Sequence, residues 1–435
     1  MCGRLTVLLM VAGCIFANGR VGGAGPAEEA RAIYDAAGIK GGFVVYVGCG
    51  NGQLTAALRT SDNVVVQGLD ATPANVETAR AAIQSTGLYG SVSVNLFDGK
   101  RLPYVDNLAN LIVVEEAGQV PTAEIMRVLA PLGVACVKQG GAWTKTVKPW
   151  PAEIDEWPQH LYGGDNNAVA HVRVVGPPRH YQWTSTPQWS RAHLVLPSIQ
   201  GLISTRGRLF TIEDQASIEH PALPGEFTLV ARDAFNGIML WQRRFPDWHP
   251  MNLYIKHLTA QIMRRLVAVG DTVYCTPGYS APITVFDAAT GKQLKVYQGT
   301  ERTQEIVYDQ GMLLAVVGDH VDTRAIGDTK GSLANSQIPE AAYGPIIPRL
   351  DDPKSTIVAI DADSGRRLWE KSGTDTAGYQ GSSLAIRGRY VVFCSDKPAL
   401  GDDTPAPARR RTASRGTQGS VVCLDRTSGA ALWHQ

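Results

Sequence analysis

Over the first 150 positions a short unbroken apolar run stands at 43–47, and further apolar-rich strand segments at 64–69, 91–96, 109–114 and 134–137. A run of that length without polar alternation suits a strand covered on both faces, which is the condition of a parallel sheet. Between the runs the spacing is helical, at 26–39, 53–59, 73–84 and 122–129. In the first of these Ala30, Ile33, Tyr34 and Ala37 share one side. Pro73 opens the third, where its missing N–H costs nothing. Strands alternating with helices predict an α/β domain wound around a parallel sheet. Beyond residue 200 the period drops to two, and Gly, Asp and Asn punctuate the chain at short intervals. That pattern predicts antiparallel hairpins.

One phrase returns through this second region. It reads A-R-D-A-F-N-G-I-M-L-W at 231–241, V-F-D-A-A-T-G-K-Q-L-K at 285–295, A-I-D-A-D-S-G-R-R-L-W at 359–369 and C-L-D-R-T-S-G-A-A-L-W at 423–433. Each copy carries Asp and, four residues on, Gly: Asp233/Gly237, Asp287/Gly291, Asp361/Gly365 and Asp425/Gly429. Asp can accept the amides of a tight turn, and Gly adopts a positive φ without a steric penalty, so each phrase predicts a hairpin. A second hairpin precedes each phrase, at 202–210, 266–274, 306–314 and 384–392. Two hairpins make a four-stranded sheet, and tandem four-stranded sheets are the blades of a β-propeller. The phrase resembles the pyrroloquinoline quinone (PQQ)-type propeller repeat, A-x-D-x-x-x-G-x-x-x-W. The second copy departs from it, with Val285 for Ala and Lys295 for Trp. The resemblance implies four recognisable blades over residues 179–435, forming an incomplete or open arc. In this reading residues 179–184 are a first strand, with Trp183 and Trp189 as packing anchors. PQQ-type propellers include quinone-dependent dehydrogenases, which carry adjacent cysteines, and non-catalytic scaffolds. No Cys-Cys pair occurs here, so a propeller without PQQ is expected.

The first region holds the candidate chemistry. The strand at 43–47 runs into V-G-C-G-N-G at 47–52 and then a helix, the arrangement that cradles a nucleotide at a helix N-terminus. The next strand ends at Asp70, where a carboxylate can accept ribose hydroxyls. Asp98 follows the third strand, and L-A-P-L-G stands at 129–133. The ordered set resembles class I S-adenosylmethionine-dependent methyltransferases, whose fold is Rossmann-like. The resemblance implies cofactor contacts at Gly48, Gly50 and Gly52, at Asp70 for the ribose and at Asp98 on the adenine side. There are departures. The acid usual two residues before the first glycine is Tyr46, and the Asp frequent in the fourth strand is Asn110. No Asn-Pro-Pro-Tyr motif occurs, so no catalytic residue is indicated. Members of the family that rely on positioning need none. Cys49 reads either as a nucleophile or as a small residue tolerated in the glycine turn.

Composition narrows the classes. The chain has 435 residues, room for two or three domains, and a net charge of +1, so no nucleic-acid partner is expected. None of the seven cysteines forms a C-x-x-C motif, and Cys275, Cys394 and Cys423 are expected in strand cores. Arg4 precedes an apolar run at 5–17 of signal-peptide length, and V-A-G-C at 11–14 resembles a bacterial lipobox that would put a lipid anchor on Cys14. Cleavage between 17 and 25, or a buried N-terminal helix, are the alternatives. Export to the periplasm, free or as a membrane-anchored lipoprotein, is the expectation. Residues 1–25 are then a leader, 26–148 the methyltransferase-like domain, 149–178 a connector and 179–435 the propeller. Glu153, Asp155, Glu156, His160, Asp165, His171 and His180 enrich the connector and its neighbourhood, but their spacing fits no compact ligand motif and no metal is expected. Insertions at 319–355 and 397–419, the second with Arg409, Arg410, Arg411 and Arg415, read as solvated loops. Three functions follow. The first is methyl transfer from S-adenosylmethionine to an unknown acceptor. The second is an exported scaffold binding a protein or polysaccharide at the propeller rim, beside a degenerate first domain. The third is a quinoprotein dehydrogenase-like activity.

Overall fold

The computed structural model describes residues 14–15, 25–116, 118–174, 176–177, 181–186, 199–217, 226–245, 263–278, 281–318, 355–379, 381, 383–395 and 419–435. The chain divides into two compact units. One comprises Met1–Ile154, Val174–Thr184 and Arg232–Leu240, the other Asp155–Arg173, Ser185–Ala231 and Trp241–Gln435.

In the first unit the elements in chain order are β1 (Cys14–Ile15), α1 (Pro26–Ala37), β2 (Gly42–Val47), α2 (Gln53–Ala57), β3 (Val64–Asp70), α3 (Pro73–Ser85), β4 (Val92–Leu96), β5 (Ala109–Val114), α4 (Thr122–Val128), β6 (Leu129–Gln139) and β7 (Ala142–Val147). They form one seven-stranded sheet in the order β1-β7-β6-β5-β2-β3-β4. Strands β2 to β6 run parallel, and β7 closes antiparallel on β6. Alternation along β2 separates two cores. Val44 and Tyr46 pack with Ala30, Ile33, Leu54, Val76 and Ile83 of α1, α2 and α3. Val45 and Val47 pack on the opposite face with Ile125 and Val128 of α4. Strand order reverses between β2 and β5, so their C-terminal ends border the crevice where such sheets bind ligands.

Two features differ from the sequence reading, and a third adds to it. Strand β7 is half-buried along most of its length, so its A-W-T-K-T-V carries no continuous apolar signal. Residues 129–133 are not a free turn. They belong to β6, with Leu132 at φ 65° and a register shift against β5 between Ala109 and Leu111. Cys14 and Ile15 pair with Lys145 and Thr144 of β7; the rest of the leader lies outside the described residues. No helix among the described residues is long and apolar enough to cross a membrane.

Asn110, at the start of β5, faces away from the crevice end of the sheet. Its Oδ1 accepts the Phe43 amide at 2.8 Å, and its Nδ2 donates to Asp233 Oδ2 at 2.6 Å within the same unit. An Asp there would lose the donor and set two carboxylates together, which accounts for the amide.

The repeat region contains four four-stranded antiparallel sheets. The first is β8 (Ile199–Thr205), β9 (Arg208–Asp214), β10 (Phe227–Asp233) and β11 (Met239–Arg244). The second is β12 (Leu266–Val269), β13 (Thr272–Cys275), β14 (Ile283–Asp287) and β15 (Gln293–Tyr297). The third is β16 (Thr303–Asp309), β17 (Met312–Gly318), β18 (Ser355–Asp361) and β19 (Arg367–Lys371). The fourth is β20 (Ala385–Arg387), β21 (Tyr390–Ser395), β22 (Ser420–Asp425) and β23 (Ala431–His434). Residues 181–186 carry no strand, and Trp189 and residues 319–354 and 397–418 of the two insertions lie outside the described residues.

Each recurring phrase is the turn between the last two strands of a sheet. The backbone carbonyl of Asp accepts the amide of the Gly four residues on, at 2.8–3.0 Å in all four. The carboxylate takes further amides: Asp287 Oδ1 accepts Ala289 N at 3.1 Å and Thr290 N at 2.8 Å. The glycines sit at φ 74°, 66°, 77° and 67°. An aromatic ring lies where their Cβ would be: Trp183 at Gly237, Trp241 at Gly291, Tyr297 at Gly365 and Trp369 at Gly429. Each ring also donates to the carbonyl one residue past the Asp. Trp183 and Trp241 reach Ala234 O and Ala288 O at 3.0 Å, and Tyr297 and Trp369 reach Ala362 O and Arg426 O at 2.6 Å. The second copy therefore docks through Tyr297, two residues after Lys295 and on the same face of β15.

The connector is not a plain linker. Trp157 bridges Ser204 of β8, Gln159 bridges Val267 of β12 and exchanges two hydrogen bonds with the Tyr308 backbone of β16, and Gly164 O accepts Ile386 N of β20. Residues 157–164 thus visit the first strand of every sheet in order. Two of the acidic residues of the connector are spent on this path. Glu156 holds Thr205 and the Arg206 amide, and Asp155 accepts from Tyr162 OH and His171 N. Among the described residues no group of His, Cys, Asp and Glu could hold a metal ion.

Candidate functional site

The crevice end of β2 leads into the glycine turn. Gly48 has φ 86°, and a Cβ there would stand 2.9 Å from Glu115 Cβ and 3.1 Å from Gln119 Oε1. Gly52 has φ 78°, and a Cβ there would meet Ala79 Cα at 2.8 Å, so this glycine lets α2 approach α3. Gly50 has φ 50° and open space where its side chain would be. Its amide donates to Asp70 Oδ2 at 3.0 Å.

Asp70 is buried at the end of β3. Its other oxygen accepts Thr72 N at 2.9 Å and Asn75 Nδ2 at 3.1 Å. Three donors leave one acceptor direction on a carboxylate that offers about four. Asp98 lies one strand over, where Phe97 N bonds Asp70 O at 2.9 Å. Its side chain is exposed, and Oδ1 accepts Lys100 N at 2.9 Å. That bond to the Lys100 amide is the main reason its pKa lies below the ordinary carboxylate value. The structure therefore brings Gly48, Gly50, Gly52 and Asp70 together and sets Asp98 beside them on the neighbouring strand.

Tyr46 does not leave the usual acid position without a carboxylate. Its OH donates to Glu115 Oε2 at 2.8 Å, and Glu115 Oε1 pairs with Lys138 Nζ at 2.7 Å. Lys138 also reaches Glu29 of α1 at 3.1 Å. Burial, then the hydrogen bond and charge of Glu115, pushes the Tyr46 phenol well above its ordinary pKa, so it remains a neutral donor. Burial alone would lower the Lys138 ammonium, but its bonds to Glu115 and Glu29 outweigh that and raise it. Beside them Gln119 Oε1 is buried with no hydrogen-bond partner among the described residues. An unpartnered buried carbonyl costs about 1–3 kcal/mol, which marks a place for a donor. Glu115 and Gln119 were the residues sequence reasoning missed. The available signal was the acid directly ending the strand at the order reversal.

Cys49 is buried, and burial followed by the charge of Asp70 pushes its thiol up to about 12. A thiol so poised is a packing group and no nucleophile.

A Gly48 cradle that a Cβ would fill, an orphaned acceptor at its wall and the Asp70 carboxylate suit, in their chemistry, the ammonium and ribose of S-adenosylmethionine. Two regions of the chain match known families. Residues 44–141 match the methyltransferase domain family. Residues 225–396 and 353–435 match a family described as outer membrane protein assembly factor BamB. Methyltransferase GfsG of Streptomyces halstedii is 32% identical over 109 residues, 23% of this chain and 39% of that protein. The chain thus spans well under half the length of this curated relative. A Methanococcus maripaludis protein described as an S-adenosyl-L-methionine-dependent methyltransferase aligns at 26% identity over 27% of this chain and 56% of its own, with a TM-score of 0.25. Geranyl diphosphate methyltransferase in complex with S-adenosylmethionine aligns at 19% identity over 26% of this chain and 48% of its own, with a TM-score of 0.24. The chain joins a region similar to a methyltransferase domain, residues 44–141, to a region similar to PQQ-type repeats, residues 225–435.

Proposed function

We propose that the first domain binds S-adenosylmethionine at the β2/β5 reversal and that the chain transfers its methyl group to an acceptor held outside that crevice. The observation that carries this reading is the unpartnered Gln119 Oε1 beside Glu115 at the Gly48 cradle. When bound, the cofactor supplies an electrophilic methyl on a sulfonium. The glycine turn admits its chain close to the backbone. Gln119 Oε1 and Glu115 accept from the methionine ammonium, Glu115 taking the part usually played by the acid at position 46. Asp70 accepts one ribose hydroxyl through its remaining direction, and Asp98 flanks the adenine side. In this reading transfer rests on positioning, and no proton acceptor is assigned among the described residues. Equilibrium dialysis of labelled S-adenosylmethionine against the full chain tests this. Saturable uptake competed by S-adenosylhomocysteine supports it, and a folded chain that takes up none refutes it.

A second reading has its own observation. Lys138 neutralises Glu115, and three protein donors occupy Asp70. If both are closed to a ligand, the domain is an inert fold and the chain is a scaffold that recruits a protein or polysaccharide through its repeats. Export, and a lipid anchor at Cys14, belong with this reading. Cell fractionation of the full chain with a Cys14→Ser control decides where it resides.

A further inference from the structure

Lys138, near the end of β6, holds two carboxylates at once. Its Nζ lies 2.7 Å from Glu115 Oε1 and 3.1 Å from Glu29 Oε1 of α1. The ring of Trp143, its partner across the β6–β7 pair, lies 5.1 Å from the same nitrogen. Two carboxylates against one ammonium leave this cluster with one negative charge in excess. The excess sits at the cradle. Glu115 follows directly on β5, its amide donates to Val47 O at 3.0 Å, and its Cβ is the nearest atom to the place a Gly48 Cβ would take. Tyr46 OH donates to Glu115 Oε2 at 2.8 Å. Oε1, the oxygen held by Lys138, is therefore the one for which a ligand cation would contend. The side chains of Lys138, Glu115 and Glu29 are all partly exposed, so none is sealed from a ligand.

We propose that Lys138 is a built-in counter-ion that sets the affinity and charge selectivity of the Gly48 cradle: a ligand ammonium displaces it from Glu115 Oε1, and it then rests on Glu29 and the face of Trp143. This rests on the cofactor reading above. The exchange is favourable because the ligand supplies the missing positive charge, while Lys138 keeps a carboxylate and a ring and is not left bare. It selects for a cation. An adenosine derivative without the α-amino group gains nothing at Glu115 and leaves Lys138 in place. The exchange also makes Glu29, on a helix away from the glycine turn, a determinant of binding, because it receives the displaced ammonium. Two variants then act with opposite sign. Lys138→Met removes the competitor for Glu115. Glu29→Gln removes the resting place and leaves Lys138 held more firmly by Glu115.

The test is calorimetric titration of S-adenosylhomocysteine into the full chain and both variants, with methylthioadenosine, which lacks the amino-acid end, as the second probe. Lys138→Met is expected to bind S-adenosylhomocysteine about fivefold more tightly and Glu29→Gln about threefold more weakly. Methylthioadenosine should change by less than about twofold in either variant. Weaker binding of both probes by Lys138→Met, the sign of lost packing, overturns the proposal. So does S-adenosylhomocysteine bound equally by all three chains, which leaves the cofactor reading standing. S-adenosylhomocysteine bound by none of them overturns both.

Discussion

Both regions place an aspartate at the end of a strand beside a glycine turn, and the same chemistry does different work in each. In the repeats Asp287 and Asp425 spend their carboxylates on turn amides and hydroxyls. The glycine partner receives an aromatic ring from an earlier part of the chain. In the first domain Asp70 is also mainly a turn builder, holding Gly50, Thr72 and Asn75. What distinguishes it is the surroundings: a glycine cradle with no ring in it and an unpartnered acceptor on its wall. An acid at a strand end therefore says little until its hydrogen bonds are counted. The groups left unpaired carry the functional reading.

The largest effect that sharpens this contrast lies within the repeats. Trp369→Ala removes a seated ring and should cost about 3–5 kcal/mol in urea unfolding, whereas Trp433→Ala should cost under about 1 kcal/mol. Equal losses would break the distinction between a seated ring and an exposed one.

The glycine turn gives the next largest. Gly52→Ala adds a methyl against Ala79 at a left-handed φ and should destabilise by about 3 kcal/mol. Gly50→Ala has open space and only the backbone term, about 1 kcal/mol. If Gly50→Ala proves as damaging as Gly52→Ala, the turn is packed differently from its geometry here.

The connector supplies a pH test. Burial, then the charge of Arg264, lowers the His160 pKa to about 4 from an ordinary 6.5. The neutral ring is the form the fold prefers, so this stability is complete above pH 6.5 and is lost as pH falls towards 4. About 2 kcal/mol should disappear across that window, and His160→Gln should flatten the profile there. Loss of the carboxylate turns comes at lower pH, because Asp361 and Asp425 are held below their ordinary values chiefly by the Ser364 and Thr427 hydroxyls. A profile unchanged by His160→Gln would contradict the buried, neutral ring.

Much of this architecture was legible because a few backbone conformations admit few residues. A glycine four residues after an aspartate, repeated at Gly237, Gly291, Gly365 and Gly429, announces its turn, and continuous apolar runs announce buried parallel strands. Tyr297 was not legible as a docking ring. It lies two residues from the expected position, and only the shared face of β15 reveals the equivalence. The connector was opaque because its bonds span distant sequence, as from Gln159 to Tyr308. At the site, Gly48, Gly52 and Asp70 were readable from motif order. Glu115 and Gln119 were not, since their nearness to Gly48 follows from the pairing of β2 with β5.

The central claim, that leftover acceptors at Gly48 bind the cofactor's ammonium, is tested most directly by calorimetric titration of S-adenosylhomocysteine into the full chain and its Gln119→Leu variant. Asp70→Ala would be ambiguous, since Asp70 holds the turn itself. The account predicts 1:1 binding near micromolar affinity, about −8 kcal/mol, weakened about tenfold in Gln119→Leu with unfolding unchanged or improved. No heat at about millimolar ligand, a level that would reveal binding as weak as −4 kcal/mol, or equal affinity in the variant, would contradict it.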